Sequence, residues 1–184
     1  GALKAWLYYP VFQLFGVSAV SVRWPVVLIG ALTLWFNYRV ALHAFSRPVA
    51  LAFVAMAAVE PSTLFHTRLD WGPTTLMMLF RSLLLLSAVL WIKTREPKYL
   101  VAALAVVVAG VFDKLNFLWL CPAVALALIV VYPRQLIDFC RQHSKFSGAM
   151  AAVTVLLGTG LLAYMRTNVP LESEIGNFDW QQRW

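Results

Sequence analysis

The sequence predicts an all-α, polytopic membrane helix bundle, with an N-terminal interfacial helix followed by about six transmembrane helices. Three observations carry this. The 184 residues are 61% hydrophobic and only 12% charged, with a mean hydropathy of +0.75, whereas soluble domains use roughly 25% charged residues. Several apolar runs approach the roughly 20 residues that a bilayer-crossing helix needs. Basic residues recur in alternate loops between those runs, which is how a membrane chain records its orientation.

The elements follow in order. "ALKAWLYYPVFQLFGV" is rich in aromatics and carries Lys4, so residues 1–20 read as a helix lying in the interface rather than a span. Six spans are expected within 25–165, at 25–45, 49–65, 73–92, 99–112, 116–132 and 147–165, the fourth being short. Residues 166–184 then begin an extracytoplasmic loop. Together they make a single transmembrane domain over 1–184. The start at Gly1 and the end within "FDWQQRW" are expected to be cuts in a longer protein.

Orientation comes from the loops. Arg39 and Arg47 flank the first connection. "KTREPK" sets Lys93, Arg95 and Lys98 against Glu96. "RQLIDFCRQHSK" sets Arg134, Arg141 and Lys145 against Asp138. If every span is a true crossing, all three loops share one side, and the positive-inside rule makes it cytoplasmic. The net charge of +7 is scattered over these loops and forms no single patch, which argues against nucleic acid as a partner. Cys121 and Cys140 are too few for a disulfide framework and suggest no metal site.

The other side is different in kind. Lys4, Glu60, His66, Arg68, Asp70, Asp113 and Lys114 put acid and base together at the ends of apolar helices. Charge at bilayer depth is costly, so such groups face protein or a wet cavity. In "HTRLDWGP", Pro73 suits a first helical turn and Gly72 a tight approach to it. Asp70 therefore precedes a helix N-terminus, where free N–H groups favour anions. Arg68 adds a planar donor fork that fits phosphate. A phosphate site with a carboxylate beside it and a plain Arg68–Asp70 surface pair are both open on local sequence. The four-residue spacing of His66 and Asp70 could suit a metal, but no third ligand accompanies them, and His66 reads as an interfacial histidine.

Asp113 and Lys114 interrupt a long apolar run and would sit at the outer tip of a helical hairpin. Lys114 would suit a lipid phosphate; a neutralised pair marking a turn is the alternative. Lys4, among Trp and Tyr, by itself reads as a lysine snorkelling to headgroups. Arg81 lies mid-span and is either functional or a partner for Glu60. Trp35, Trp91 and Trp119 read as belt or packing residues. No Walker A, GxGxxG, HExxH, CxxC or glycosylation sequon is present. No internal repeat is evident, which weakens a transporter reading.

The order of these pieces resembles the GT-C membrane glycosyltransferases, in particular the dolichyl-phosphate-mannose protein mannosyltransferase-like group and bacterial relatives such as the aminoarabinose transferases. "GALKAWLYYPVFQLFGVSAVSVRWP" looks like that family's lysine-bearing interfacial helix leading into a span. "EPSTLFHTRLDWGP" looks like its second outer loop, and "GVFDKLNFLW" like its later Gly-to-Lys turn. The resemblance covers about residues 1–165. It implies transfer of a sugar from a polyprenyl-phosphate donor to a protein, lipid or glycan acceptor at the extracytoplasmic face, with inversion. On it, Asp70 is a catalytic carboxylate, and Arg68, Lys114 and Lys4 hold donor phosphate. Asp113, which is not a standard position of that family, and His66, Arg81 and Glu60 are supporting residues by their place in the sequence. The family's main acidic base would lie upstream of Gly1, so this stretch alone is expected to be inactive. No cofactor is firmly implied, no metal ligands are assigned, and participation of a divalent cation is left open. The setting would be the bacterial inner membrane, or the endoplasmic reticulum membrane in a eukaryote. A flippase or transporter of a lipid-linked substrate, and a non-catalytic membrane subunit, are the competing readings.

Overall fold

The structure is a computed structural model that describes residues 2–68 and 74–168; every regular element among them is helical. Helix α1 spans Ala2–Phe15 and α2 spans Ala19–Ala44. Gly16, at φ +68°, provides the left-handed turn between them. Ser18 starts α2 with a reciprocal cap: its side chain accepts from the Ser21 N–H at 3.1 Å, and Ser21 Oγ accepts from the Ser18 N–H at 2.8 Å. That cap starts the helix six residues before the expected 25, and α2 continues through Pro25.

The expected span at 49–65 is broken. Helix α3, Arg47–Val59, meets α4, Pro61–Arg68, at a bend of 60°. Pro61 has no N–H to extend α3 and forces Glu60 into extended backbone, with ψ 127°. Helix α5 is Thr74–Thr94 and α6 is Pro97–Asp113. A 3-10 turn over Leu115–Trp119 leads into α7, Leu120–Val131.

Three helices, α2, α5 and the last one, α9 (Ser144–Asn168), are long and apolar enough to cross a membrane, or up to five spans if the bent pairs α3–α4 and Leu115–Val131 with the helix after it each count as one. Among the described residues, length and composition thus support three to five spans and do not confirm about six. At 17 residues, α6 is about 25 Å long, short of a hydrocarbon core of roughly 30 Å.

The chain forms two compact units, Gly1–Pro133 and Arg134–Trp184. In the first, α5 packs against both α2 and α6. Leu76, Phe80 and Leu84 recur every four residues on α5 and make one buried stripe, which Phe117 completes. Two glycines permit close approach. A Cβ on Gly30 would lie 2.5 Å from Thr67 Cγ2, and one on Gly110 would lie 2.5 Å from Phe117 Cδ1. Ser82 Oγ donates to Asn37 Oδ1 at 2.8 Å, tying α5 to α2 at mid-height. Trp91 is fully buried, whereas Trp35 and Trp119 are exposed, as are Trp6, Trp24, Phe53 and Met56. So much outward apolar surface fits lipid as the surrounding solvent.

In the second unit, residues expected to be loop form helix α8, Pro133–Gln142. Its apolar side chains fall on one face, and Phe139 is buried, stacked on His143 at 4.7 Å and edge-on to Phe146 at 6.2 Å. The basic character of 134–145 had masked that periodicity.

Candidate functional site

The site is assembled at the end of the first unit where α1, α4 and α6 meet the start of α5. Helix α1 is fixed at two heights. Tyr8 is buried, and its hydroxyl donates to the Val22 carbonyl at 3.2 Å. Leu3 packs against the core stripe. Between these contacts, the Lys4 backbone N–H donates to Asp113 Oδ1 at 3.3 Å. The Lys4 ammonium lies 5.4 Å from the Tyr8 ring centroid, one helical turn along the same face.

Asp113 is the last residue of α6 and is only 6% exposed. A carboxylate at a helix C-terminus opposes the helix dipole, so this placement does not serve α6 itself. It is offset by the N-terminal turn of α1, whose free N–H groups attract anions. Asp113 Oδ2 remains buried without a hydrogen-bond partner. Lys114 follows in extended backbone at φ −151°, with its N–H bonded to the Gly110 carbonyl at 2.9 Å and its side chain half-buried. A buried carboxylate oxygen with unused acceptor capacity, one residue from Lys114 and bonded to the backbone of Lys4, can take a hydroxyl or a cationic group.

Helix α4 packs against α2, α3 and the start of α5. Glu60 Oε2 accepts the Thr63 N–H at 2.7 Å and so caps α4. His66 Nδ1 lies 2.7 Å from the Ser62 carbonyl, a local tie on the same helix. Thr75 Oγ1 donates to the His66 carbonyl at 2.9 Å, binding the end of α4 to the first turn of α5. Since Thr75 adjoins Leu76, and Leu3 packs on the stripe containing Leu76, His66 and Lys4 belong to the same end of the bundle. Arg68 ends α4 with its side chain exposed. Asp70 lies outside the described residues.

The structure thus brings Lys4 to Asp113 and Lys114, and places His66 and Arg68 at the same end. It leaves Arg81 apart. Arg81 is exposed on α5 while its neighbours Phe80 and Ser82 are buried, and the Glu60 carboxylate serves the cap of α4. Tyr8 and Thr75 were not singled out from sequence. Tyr8 could have been found from its position four residues after Lys4; nothing local marks Thr75. Among the described residues, no group of three or more His, Cys, Asp or Glu is placed to hold a metal ion.

Apolar helices with so many outward apolar side chains mark a membrane protein, and acid and base gather at one end of its first unit. The family model for dolichyl-phosphate-mannose-protein mannosyltransferase matches residues 2–159. The chain belongs to that family, and so to the GT-C membrane glycosyltransferases. No curated protein and no solved structure matches it.

Proposed function

We propose that the protein transfers a sugar from a polyprenyl-phosphate-linked donor to a hydroxyl of a protein, lipid or glycan acceptor at the extracytoplasmic face. The acceptor oxygen attacks the anomeric carbon as the bond from that carbon to the phosphate oxygen breaks. The configuration inverts, the polyprenyl phosphate leaves, and a carboxylate takes the acceptor proton. Lys4, Lys114 and Arg68 hold the donor phosphate and stabilise charge as it develops on the leaving group. Asp70 is a carboxylate of this site. His66 and Glu60 shape α4 around it. The membrane is the cell membrane in a bacterium and the endoplasmic reticulum in a eukaryote.

The observation that supports this reading is the meeting of α1 and α6, which sets Lys4 on a buried Asp113 one residue from Lys114. The test is transfer of labelled sugar from a polyprenyl-phosphate donor in membranes holding the full-length protein. Lys114→Ala is expected to raise the donor KM. Asp70→Asn is expected to lower kcat by about 10²-fold or more. Wild-type rates in both variants would remove the assignment, and a product of retained anomeric configuration would remove the displacement mechanism.

A further inference from the structure

A second cluster of charge lies at the opposite end of the first unit, and sugar transfer does not account for it. Helices α2 and α5 run side by side in the same direction, joined at Asn37 and Ser82. The final turns carry His43 on α2 and Lys93 on α5, with Arg39 one turn before His43 and Arg95 just beyond Lys93. Arg39 and Lys93 both act electrostatically on His43, so the two helix ends share one positive field. Helix C-termini attract cations, and cytoplasmic loops collect them. Those effects account for Arg39 and Lys93, but not for how Arg95 is held.

Arg95 has a left-handed backbone, φ +60°, which costs a residue with a Cβ and comes free only to glycine. Its N–H still bonds the Trp91 carbonyl at 2.9 Å. In this conformation the guanidinium lies over the fully buried Trp91 ring, 4.9 Å from the centroid. Arg95 Nη1 is buried without a hydrogen-bond partner, and so is His43 Nε2. An arginine that merely records orientation extends its donors into water. This one is drawn back, on strained backbone, with a donor unfilled. The nearest carboxylate in sequence, Glu96, is exposed and forms an ion pair with Lys98. An unfilled guanidinium donor beside Arg39 and Lys93 calls for an anion, and the guanidinium fork fits phosphate.

We propose that this end of the bundle binds the phosphate of an anionic membrane lipid, with Arg95 as the direct contact and Arg39 and Lys93 supplying the field. A lipid is favoured over a soluble phosphate because Phe45, Val49 and Leu51, at the adjoining ends of α2 and α3, expose apolar side chains on which an acyl chain can lie.

The test places the full-length protein in vesicles of phosphatidylcholine alone and in vesicles where about a third is phosphatidylglycerol, and reads the thermal midpoint. The wild type is expected to unfold a few degrees higher with phosphatidylglycerol, since a ligand that binds only the folded state raises its midpoint. Arg95→Gly relieves the backbone, so it is expected to match or exceed the wild type in phosphatidylcholine while losing the phosphatidylglycerol shift. Arg95→Asn, which also tolerates the left-handed region, is expected to lose it too. An equal shift in either variant, or none in the wild type, overturns the site. An equal shift from inorganic phosphate added to the phosphatidylcholine sample overturns the lipid as its occupant.

Discussion

The two ends of the α2–α5–α6 bundle hold charge in opposite ways. At one, a carboxylate is buried: Asp113 lies at 6% exposure between Lys114 and the backbone of Lys4. At the other, Arg39, Lys93 and Arg95 gather around His43, and Glu96, next to Arg95 in sequence, is engaged by Lys98. An end where cations predominate attracts an anion but has no buried carboxylate among the described residues to take a proton from a hydroxyl. An end with a buried acid beside bases can do both, because the bases hold phosphate while a carboxylate orients or deprotonates a hydroxyl. On the two proposals, chemistry belongs to one end and attachment to the other.

The largest expected effect breaks the comparison at its acidic end. Asp113→Ala removes the acceptor for the Lys4 N–H and releases α1 from α6, so sugar transfer should fall by about 10²-fold, in the range of losing a positioned polar group at a reacting centre. Asp113→Asn keeps an oxygen for that N–H and separates docking from charge. If the asparagine variant restores transfer, Asp113 acts by holding α1; if transfer stays low, the negative charge itself is used. Arg95→Gly, at the basic end, should leave transfer rates as they are. Equal losses at both ends would mean that the two ends do not divide the work.

A smaller effect follows at the turn that carries Asp113 and Lys114. In Gly110→Ala the new methyl would meet Phe117 Cδ1 at 2.5 Å and Cε1 at 2.7 Å. That ring is 2% exposed and sits edge-on to Phe80 at 6.3 Å, so it has no room to swing. Overpacking of this kind costs about 1–3 kcal/mol, read as a drop in unfolding midpoint. Gly30→Ala meets Thr67 Cγ2 at 2.5 Å, but Thr67 belongs to the eight-residue α4 and is only half-buried, so α4 can give way. Its cost should fall at or below the lower end of that range, about 1 kcal/mol. A larger loss from Gly30→Ala than from Gly110→Ala would show that α4, rather than the α6 turn, is the stiffer wall.

The sequence made some of this visible and hid the rest for identifiable reasons. Composition and run length were enough for an all-helical membrane chain. The aromatic, lysine-bearing start was enough to set α1 apart, and Gly16 ends it. The break at Glu60–Pro61 was readable from proline chemistry, yet the apolar residues on both sides concealed it. The helix over 133–142 was hidden by its basic residues, although Leu136, Phe139 and Cys140 have helical spacing. At the site, Lys4 and Asp113 were each conspicuous as charges in apolar sequence. Their contact joins positions 109 residues apart, a separation that no local pattern reports. Arg95 was the least legible, because a left-handed arginine before Glu-Pro looks like any basic loop residue.

The smallest expected effect tests whether the basic end is a structured site or a simple excess of charge. Lys98 and Glu96 form an exposed ion pair, and hydrogen bonding to Glu96 raises the Lys98 pKa above its ordinary 10.5. A raised lysine pKa adds stability that is complete below the unfolded pKa and fades only as pH climbs through the folded one. From about pH 6 to about pH 9 that contribution is constant, and an exposed pair of this kind is weak. Lys98→Ala should therefore leave the unfolding midpoint and its pH dependence unchanged over that window, and should also leave the phosphatidylglycerol shift in place. If Lys98→Ala removed that shift as fully as Arg95→Gly, the lipid would be responding to the sum of positive charge at this end. The guanidinium held over Trp91 would then have no role of its own.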